Sequence, residues 1–459
     1  NGTGNTAIGY LACTGGTGRD NTAIGFYALS DVNAGNYNTA IGSFACSGNT
    51  FGAFNTAIGY EALMEVGGGS FNTAIGFNSS KDAGSSATSN TSVGVRSLSG
   101  NVSGDRNVAI GMNAAANTRT GNQNVAVGYN ALLSNTGNSY NVAIGTEAAY
   151  SNVQSGITAV GYQSAYSNVT GVGNTAIGYL AYTGGTQNHN TAVGYYALSK
   201  GNLGSYNVAI GSFACSGVTN GSFNTAVGYE ALLYTQGSLY NTAIGYQSSK
   251  ETKVSAFANT SVGAASLSGN VSGDYNVALG YQAAISGTTA DNNIAIGYRT
   301  LRNNINGSSN IAIGREAGSS VVSGDNTIIG RLSGTASDSG IIRIGAGTNE
   351  RIYVDTVGVV SGNAFAQTTA AMPANEINPA NGGIQSKTVS ENTTFTEALV
   401  SGESVLVHLT SGSSHTLTWP TITWVTSAGN SAPTFTDDDI LVFWKFGTTL
   451  YGAYGGSFA

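Results

Sequence analysis

The chain has 459 residues, 67 of them Gly, with only 8% charged residues and a formal net charge of −7. That balance, without a sustained basic patch, argues against nucleic acid as a partner, and no apolar run is long enough for a transmembrane helix, so membrane insertion is not expected. An apolar fraction of 41% carried on β-branched residues argues against a disordered chain, while so much Gly and so little charge set it apart from ordinary globular proteins.

From residue 5 onward one unit recurs, for example Asn55-Thr56-Ala57-Ile58-Gly59-Tyr60-Glu61-Ala62-Leu63. It is found in 21 copies, at steps almost all of 16 to 18 residues. Such a period is the signature of a solenoid in which one short unit is stacked many times. Counting from the Asn, position 2 is always Thr, Val or Ile, position 4 always Ile, Val or Leu, and position 5 always Gly. β-branched residues favour extended backbone, and alternation places positions 2 and 4 on one face. The expectation is that this face is the core. The invariant Gly implies a positive φ or a close backbone approach. A second short strand is expected over positions 6 to 9, followed by a Gly/Ser/Asn-rich return.

Asn fills the first slot in 19 copies, with Ile157 and Ile341 as exceptions. Stacked Asn amides are expected to bond as a ladder. Position 3 is Ala in 17 copies and Ser at Ser92 and Ser261. If positions 2 and 4 face inward, position 3 faces out, and a small apolar residue there implies a second chain packed close. Ala57, Ala143, Ala209 and Ala243 are therefore expected to make trimer contacts, and Glu at Ala143 and Ala209 is expected to split the oligomer. An ice-binding solenoid is set aside because Thr falls in a core slot. The three cysteines, Cys13, Cys46 and Cys215, occupy position 9, normally a Leu slot, and read as small buried hydrophobes.

Residues 5–173 and 174–342 are a duplication offset by 169 residues, loops included: NTAIGYLACTGGTG returns as NTAIGYLAYTGGTQ. Copying of this kind lengthens a fibre and does not suit a catalytic cradle. The chain also opens inside a repeat, as expected of a fragment of a longer fibre. Position 6 is aromatic in 12 copies. It reads as a stacked ladder covering the turn, with sugar stacking as the functional alternative. Toward the end of the repeats Arg gathers at Arg299, Arg302, Arg315, Arg331, Arg343 and Arg351, six of the ten in the chain. These residues either pair with acids such as Glu316, Asp325 and Glu350 or form a basic collar for an anionic glycan.

Residues 347–386 break the pattern and read as a linker or collar. All four Pro and all three Trp lie beyond residue 370. Residues 387–459 read as an antiparallel β-sandwich, with strands at Ser404 to Thr410, His415 to Trp419, Ile422 to Thr426, Ile440 to Phe446 and Leu450 to Tyr454. Trp424, Tyr451, Trp419 and Tyr454 are the candidate receptor contacts, whereas Trp444, inside an apolar run, is expected in the core. Asp437, Asp438 and Asp439 read as a solvated turn. His408 and His415 meeting their copies on an axis is the one metal arrangement worth naming. No catalytic residue, metal site or cofactor is expected: no nucleophile–base pair, zinc motif or phosphate loop is present.

The NTAIG and NVAIG repeats resemble the head repeats of trimeric autotransporter adhesins, which also occur in bacteriophage tail fibres. The stretch HTLTWPTITWVTSAGNSAPTFTDDDILVFWKFGTTLYGAYGG looks like the small terminal domain of such fibres and not like a membrane-anchor barrel. The resemblance implies an all-β fold: a left-handed parallel β-roll of 21 coils in a homotrimeric fibre, ending in a small sandwich. It further implies a non-enzymatic structural protein on the virion, attached to an upstream fibre or baseplate protein, that binds a host-surface glycan or protein. The alternative is a bacterial surface adhesin or extracellular filament subunit.

Overall fold

The structure is a computed structural model and describes all residues except 1, 32–33, 66, 85, 201–203, 218, 235, 253–254, 357–359, 362–369, 426–428 and 458–459. The chain forms two units, Asn1–Val359 and Val360–Ala459.

The first unit is a parallel β-solenoid. Twenty three-residue strands run from Thr6–Ile8 to Thr327–Ile329, followed by Ile342–Ala346. Neighbours pair in register: Thr56 opposite Thr73, Ala57 opposite Ala74, Ile58 opposite Ile75. The strands fall where the β-branched triplets stand, but their faces are reversed from the expected sense. Position 3 is the buried one. Ala57, Ala143, Ala209 and Ala243 each have 0% exposure, as do Ser92 and Ser261. Positions 2 and 4 point outward, with Ile210 at 41% and Ile244 at 40% exposure. The reason is size. A circuit of about 17 residues encloses room for Ala from the strand and for Ala and Leu from the opposite side, as with Ala62 and Leu63, both fully buried.

Nor is there a second strand at positions 6 to 9. That segment is a run of turns in which positions 7 and 9 are left-handed, as at Glu61 and Leu63, both φ 52. The residue before each Asn is usually left-handed too, as at Phe54, φ 59. Such residues cost energy individually, and cross-coil hydrogen bonds offset the cost. The Glu61 N–H donates to the Ser43 carbonyl in the preceding coil (3.0 Å), and Leu63 N–H to the Ser79 carbonyl in the next (2.9 Å). The backbone is therefore tied coil to coil far beyond its three-residue strands.

The Asn ladder is present. Asn207 Oδ1 accepts the Asn224 backbone N–H (3.0 Å) and its Nδ2–H (3.1 Å), while Asn207 Nδ2 donates to the Gly221 carbonyl (2.7 Å). Where Ile157 replaces Asn the ladder loses a rung: its N–H still donates to Asn141 Oδ1 (3.0 Å), but it has no side-chain amide to donate to Asn141 Oδ1 or to accept from the next coil. Asn207→Ala would strand the Asn224 N–H and the Gly221 carbonyl in the interior. At about 1–3 kcal/mol for each buried orphan, a loss of about 3 kcal/mol is expected. A lowered guanidinium midpoint would register it; an unchanged midpoint would show that the ladder is ornamental.

Cys46 and Cys215 are fully buried free thiols, pushed up to about 12 by desolvation. The solenoid's final strand, Ile342–Ala346, is covered by an antiparallel partner, Asn349–Val354, so its open edge is closed. Part of the stretch expected to be a linker therefore belongs to the solenoid.

The second unit is built on a six-stranded sheet. Its order is Ala370–Ala371, Ile384–Thr388, Ser404–Thr410, Asp438–Phe446, Thr449–Ser457 and Ile422–Val425. The Asp438–Phe446 strand is antiparallel to both of its neighbours, Ser404–Thr410 and Thr449–Ser457, and the outer strands join these in parallel. One face carries Val405, Val407, Leu409, Leu441, Phe443 and Leu450 into a core closed by Met372, Ile377, Phe395 and Leu399 from short ribbons and loops. The ordered unit thus begins earlier than residue 387, and its second layer is thinner than a full sheet.

Candidate functional site

The best-formed aromatic surface lies on the opposite face of that sheet. Along Asp438–Phe446, odd residues are inward (Asp439, Leu441, Phe443), so Trp444 is outward and half-buried. A hairpin turn at Gly447 and Thr448 then sets Tyr451 directly across from Trp444. The two rings stack with centroids 5.5 Å apart and planes 11° from parallel. A depression of ≈ 340 Å3 opens beside them, lined by Gly402, Glu403, Ser404, Trp444, Lys445, Phe446 and Tyr451. Its rim is fixed by the backbone: Gly402 N–H donates to the Lys445 carbonyl (2.9 Å), and Lys445 N–H to the Glu403 carbonyl (3.0 Å). Lys445 is held by an ion pair with Glu397 at 2.7 Å. Phe446 stands 75% exposed at the mouth. The aromatic pair, with the Ser404 hydroxyl and the Glu403 carboxylate at its rim, suits a ligand with one apolar face and polar edges.

Of the four expected contact residues, only Tyr451 lies here. Trp424 is 8% exposed and packs edge-on against Trp419 and Phe443. Gly452 makes room for it, since a Cβ there would come within 3.0 Å of the indole. Trp419 stacks on Phe395 at 4.3 Å, against the core. Tyr454 also packs on the core, its hydroxyl donating to the buried Asp439 (2.8 Å). Trp444 and Trp424 thus exchange the places expected of them. The signal was strand parity, which the continuous apolar run Ile440 to Phe446 concealed.

The three consecutive aspartates diverge. Asp439 accepts from Thr436 N–H and Oγ1–H, Asp438 pairs with His408, and Asp437 accepts from Ser413. Among the described residues no cluster of His, Cys, Asp and Glu is arranged to hold a metal.

On the solenoid, the position 6 rings stack from coil to coil, as in Tyr162, Tyr179 and Tyr195, with centroids 5.1 and 5.3 Å apart and planes about parallel. Tyr179 has a ring stacked on each face, as the ladder reading expects, whereas Trp444 and Tyr451 each stack on one ring only among the described residues. A second ladder, missed in the repeat pattern, lies in the left-handed slot before Asn: Tyr206, Phe223 and Tyr240, stacked at 5.1 and 5.0 Å. Its signal was the recurrence of Tyr and Phe at that slot. Both ladders recur at the 169-residue offset, for example in Tyr37, Phe54 and Phe71.

No protein-family model, curated protein or solved structure matches this chain. No helix is long and apolar enough to cross a membrane among the described residues.

Proposed function

We propose that this chain is the structural subunit of a phage or phage-derived tail fibre that attaches to a host-surface saccharide through its C-terminal unit. The observation that carries the binding assignment is the Trp444–Tyr451 pair beside its depression. The solenoid acts as a spacer, its repeated interior and cross-coil bonds leaving little for chemistry. We assign homotrimer contacts to the outward stripe of positions 2 and 4, since the Ala row is used inside each chain. Position 4 is Ile, Val or Leu in every coil, while position 2, outward and not in the core slot expected of it, is Thr in thirteen coils and Val or Ile in eight, so the stripe pairs one continuous apolar row with a row that is Thr in most coils. Exposed apolar patches of this extent mark association surfaces. Three tips on one fibre would then bind multivalently, so individually weak contacts suffice.

The test is a saccharide array probed with the full chain and with Trp444→Ala. A loss of at least about tenfold in apparent affinity is expected, since aromatic truncation at a binding centre costs about 2 kcal/mol or more. Undiminished binding by a correctly folded Trp444→Ala chain would refute the assignment.

A further inference from the structure

Three arginines on consecutive coils near the end of the solenoid have no carboxylate partner among the described residues. Arg299, Arg315 and Arg331 occupy positions 7, 6 and 6 of their units. Arg299 and Arg315 both lie over the Tyr298 ring, their guanidinium carbons 4.9 and 5.6 Å from its centroid. The Arg299 Nε–H donates to Gln282 (2.9 Å), which fixes the plane and leaves its terminal amino groups free of protein acceptors among the described residues. Arg315 and Arg331 are exposed. Glu316 stands one coil on from Arg299 in the same column but forms no ion pair with any of the three. Arg343, by contrast, is spoken for by Asp338 (2.9 Å) and Glu350 (2.6 Å). Next to the column is a depression of ≈ 410 Å3 lined by Arg331, Ser333, Arg343, Thr348 and Glu350, among others.

The duplication supplies an internal control. At the 169-residue offset the same slots hold Asn130, Thr146 and Tyr162. Asn130 and Arg299 share a left-handed backbone, at φ 53 and φ 54. The coil therefore closes equally well without arginine, and the fold does not call for this charge. Neighbouring coils are about 4.8 Å apart, so the three residues stand within about 10 Å along the stack. Like charges brought this close repel one another. A cost taken on in one copy only, within an acidic chain, is what a site for a multiply charged anion would show. Guanidinium forks held by stacking present paired N–H groups to carboxylate or phosphate oxygens.

We propose that Arg299, Arg315 and Arg331 form a site for the repeated carboxylates or phosphates of an acidic polysaccharide on the side of the solenoid. This site is independent of the Trp444–Tyr451 surface. The experiment measures binding of the full chain to polygalacturonate, to phosphomannan and to neutral dextran, at low and high salt. The variant R299N/R315T/R331Y restores the residues of the first copy and is expected to melt as the parent does. The parent should bind at least one acidic polymer and not dextran, with binding weakened by salt; the variant should lose at least about tenfold. Binding of polygalacturonate alone assigns carboxylate, of phosphomannan alone phosphate, and of both the shared oxyanion. R299K/R315K/R331K, which keeps charge and removes the fork, should bind more weakly than the parent and provides the same comparison should the first variant misfold. Absence of binding to both acidic polymers, equal binding to dextran, or variants that bind as the parent does would overturn the proposal.

Discussion

Gly211→Ala should cost the solenoid about 4 kcal/mol or more and open the stack between two coils. A Cβ at Gly211 would lie 2.5 Å from the Gly228 carbonyl oxygen and 2.7 Å from its carbon, both main-chain atoms that have no rotamer to yield. The residue also sits at φ 132, where a side chain is strained by about 1–3 kcal/mol regardless of space. Relief of the overlap would separate the coils and weaken hydrogen bonds such as Gly228 N–H to the Ile210 carbonyl (2.8 Å), at about 1 kcal/mol each. Gly156 is the control: its φ is also positive, at 73, but a Cβ there meets nothing within 4 Å. Gly156→Ala should cost only about 1 kcal/mol. Guanidinium unfolding of the two variants separates close approach from conformation. Equal midpoints would show that the coil-to-coil contact at Gly211 is not what fixes this slot. Hydrogen exchange should place the damage in the flanking coils, because a solenoid's stability is a sum of local terms.

The same invariant Gly shows how much of the fold was legible from the residues. The period, the three-residue strands and the Asn ladder follow from which residue types recur and how they bond. Side-chain alternation, however, states which residues share a face and is silent on which face is inside. The usual preference for large apolar residues within decided that question wrongly here. The coil is so small that Ala, Leu and Asn fill it, and the β-branched residues are left outside. The turn at positions 6 to 9 was obscured for a related reason. Glu61, Leu63 and Phe54 take left-handed conformations that local propensity disfavours, and only hydrogen bonds to neighbouring coils recover the cost. At the tip, the parity of a nine-residue strand settles the orientation of Trp444. Its apolar composition on both faces hid that parity, because the outward residues Ile440, Val442 and Trp444 are as hydrophobic as the inward ones. The arginine column was visible as a cluster, but its lack of partners is a matter of geometry.

Adjacent substitutions on one strand should therefore have opposite kinds of effect. Ala209 is 0% exposed and faces Ala192 and Ala226 across the coils, whereas Ile210, its neighbour, is 41% exposed. Ala209→Glu places a carboxylate in an interior that has neither volume nor a cation for it. Burying an unpaired charge costs several kcal/mol, and the added atoms overfill the coil. The expected result is local unfolding around the Val208–Ile210 strand, with loss of β-signal and early proteolysis there, and any loss of assembly is secondary. Ile210→Glu combined with Ile244→Glu puts the same charge on the outward stripe, where water solvates it. Each chain should keep its circular dichroism and its unfolding midpoint within about 1 kcal/mol, as surface substitutions do. If chains associate through that stripe, two carboxylates per chain, set beside their copies near the fibre axis, would oppose contact, and light scattering should show trimer falling to monomer. A folded Ala209→Glu chain that merely dissociates would return the Ala row to the interface. A trimer that survives Ile210→Glu with Ile244→Glu would move the interface off this stripe altogether. The pair of experiments thus distinguishes a residue that builds the coil from one that joins coils of different chains.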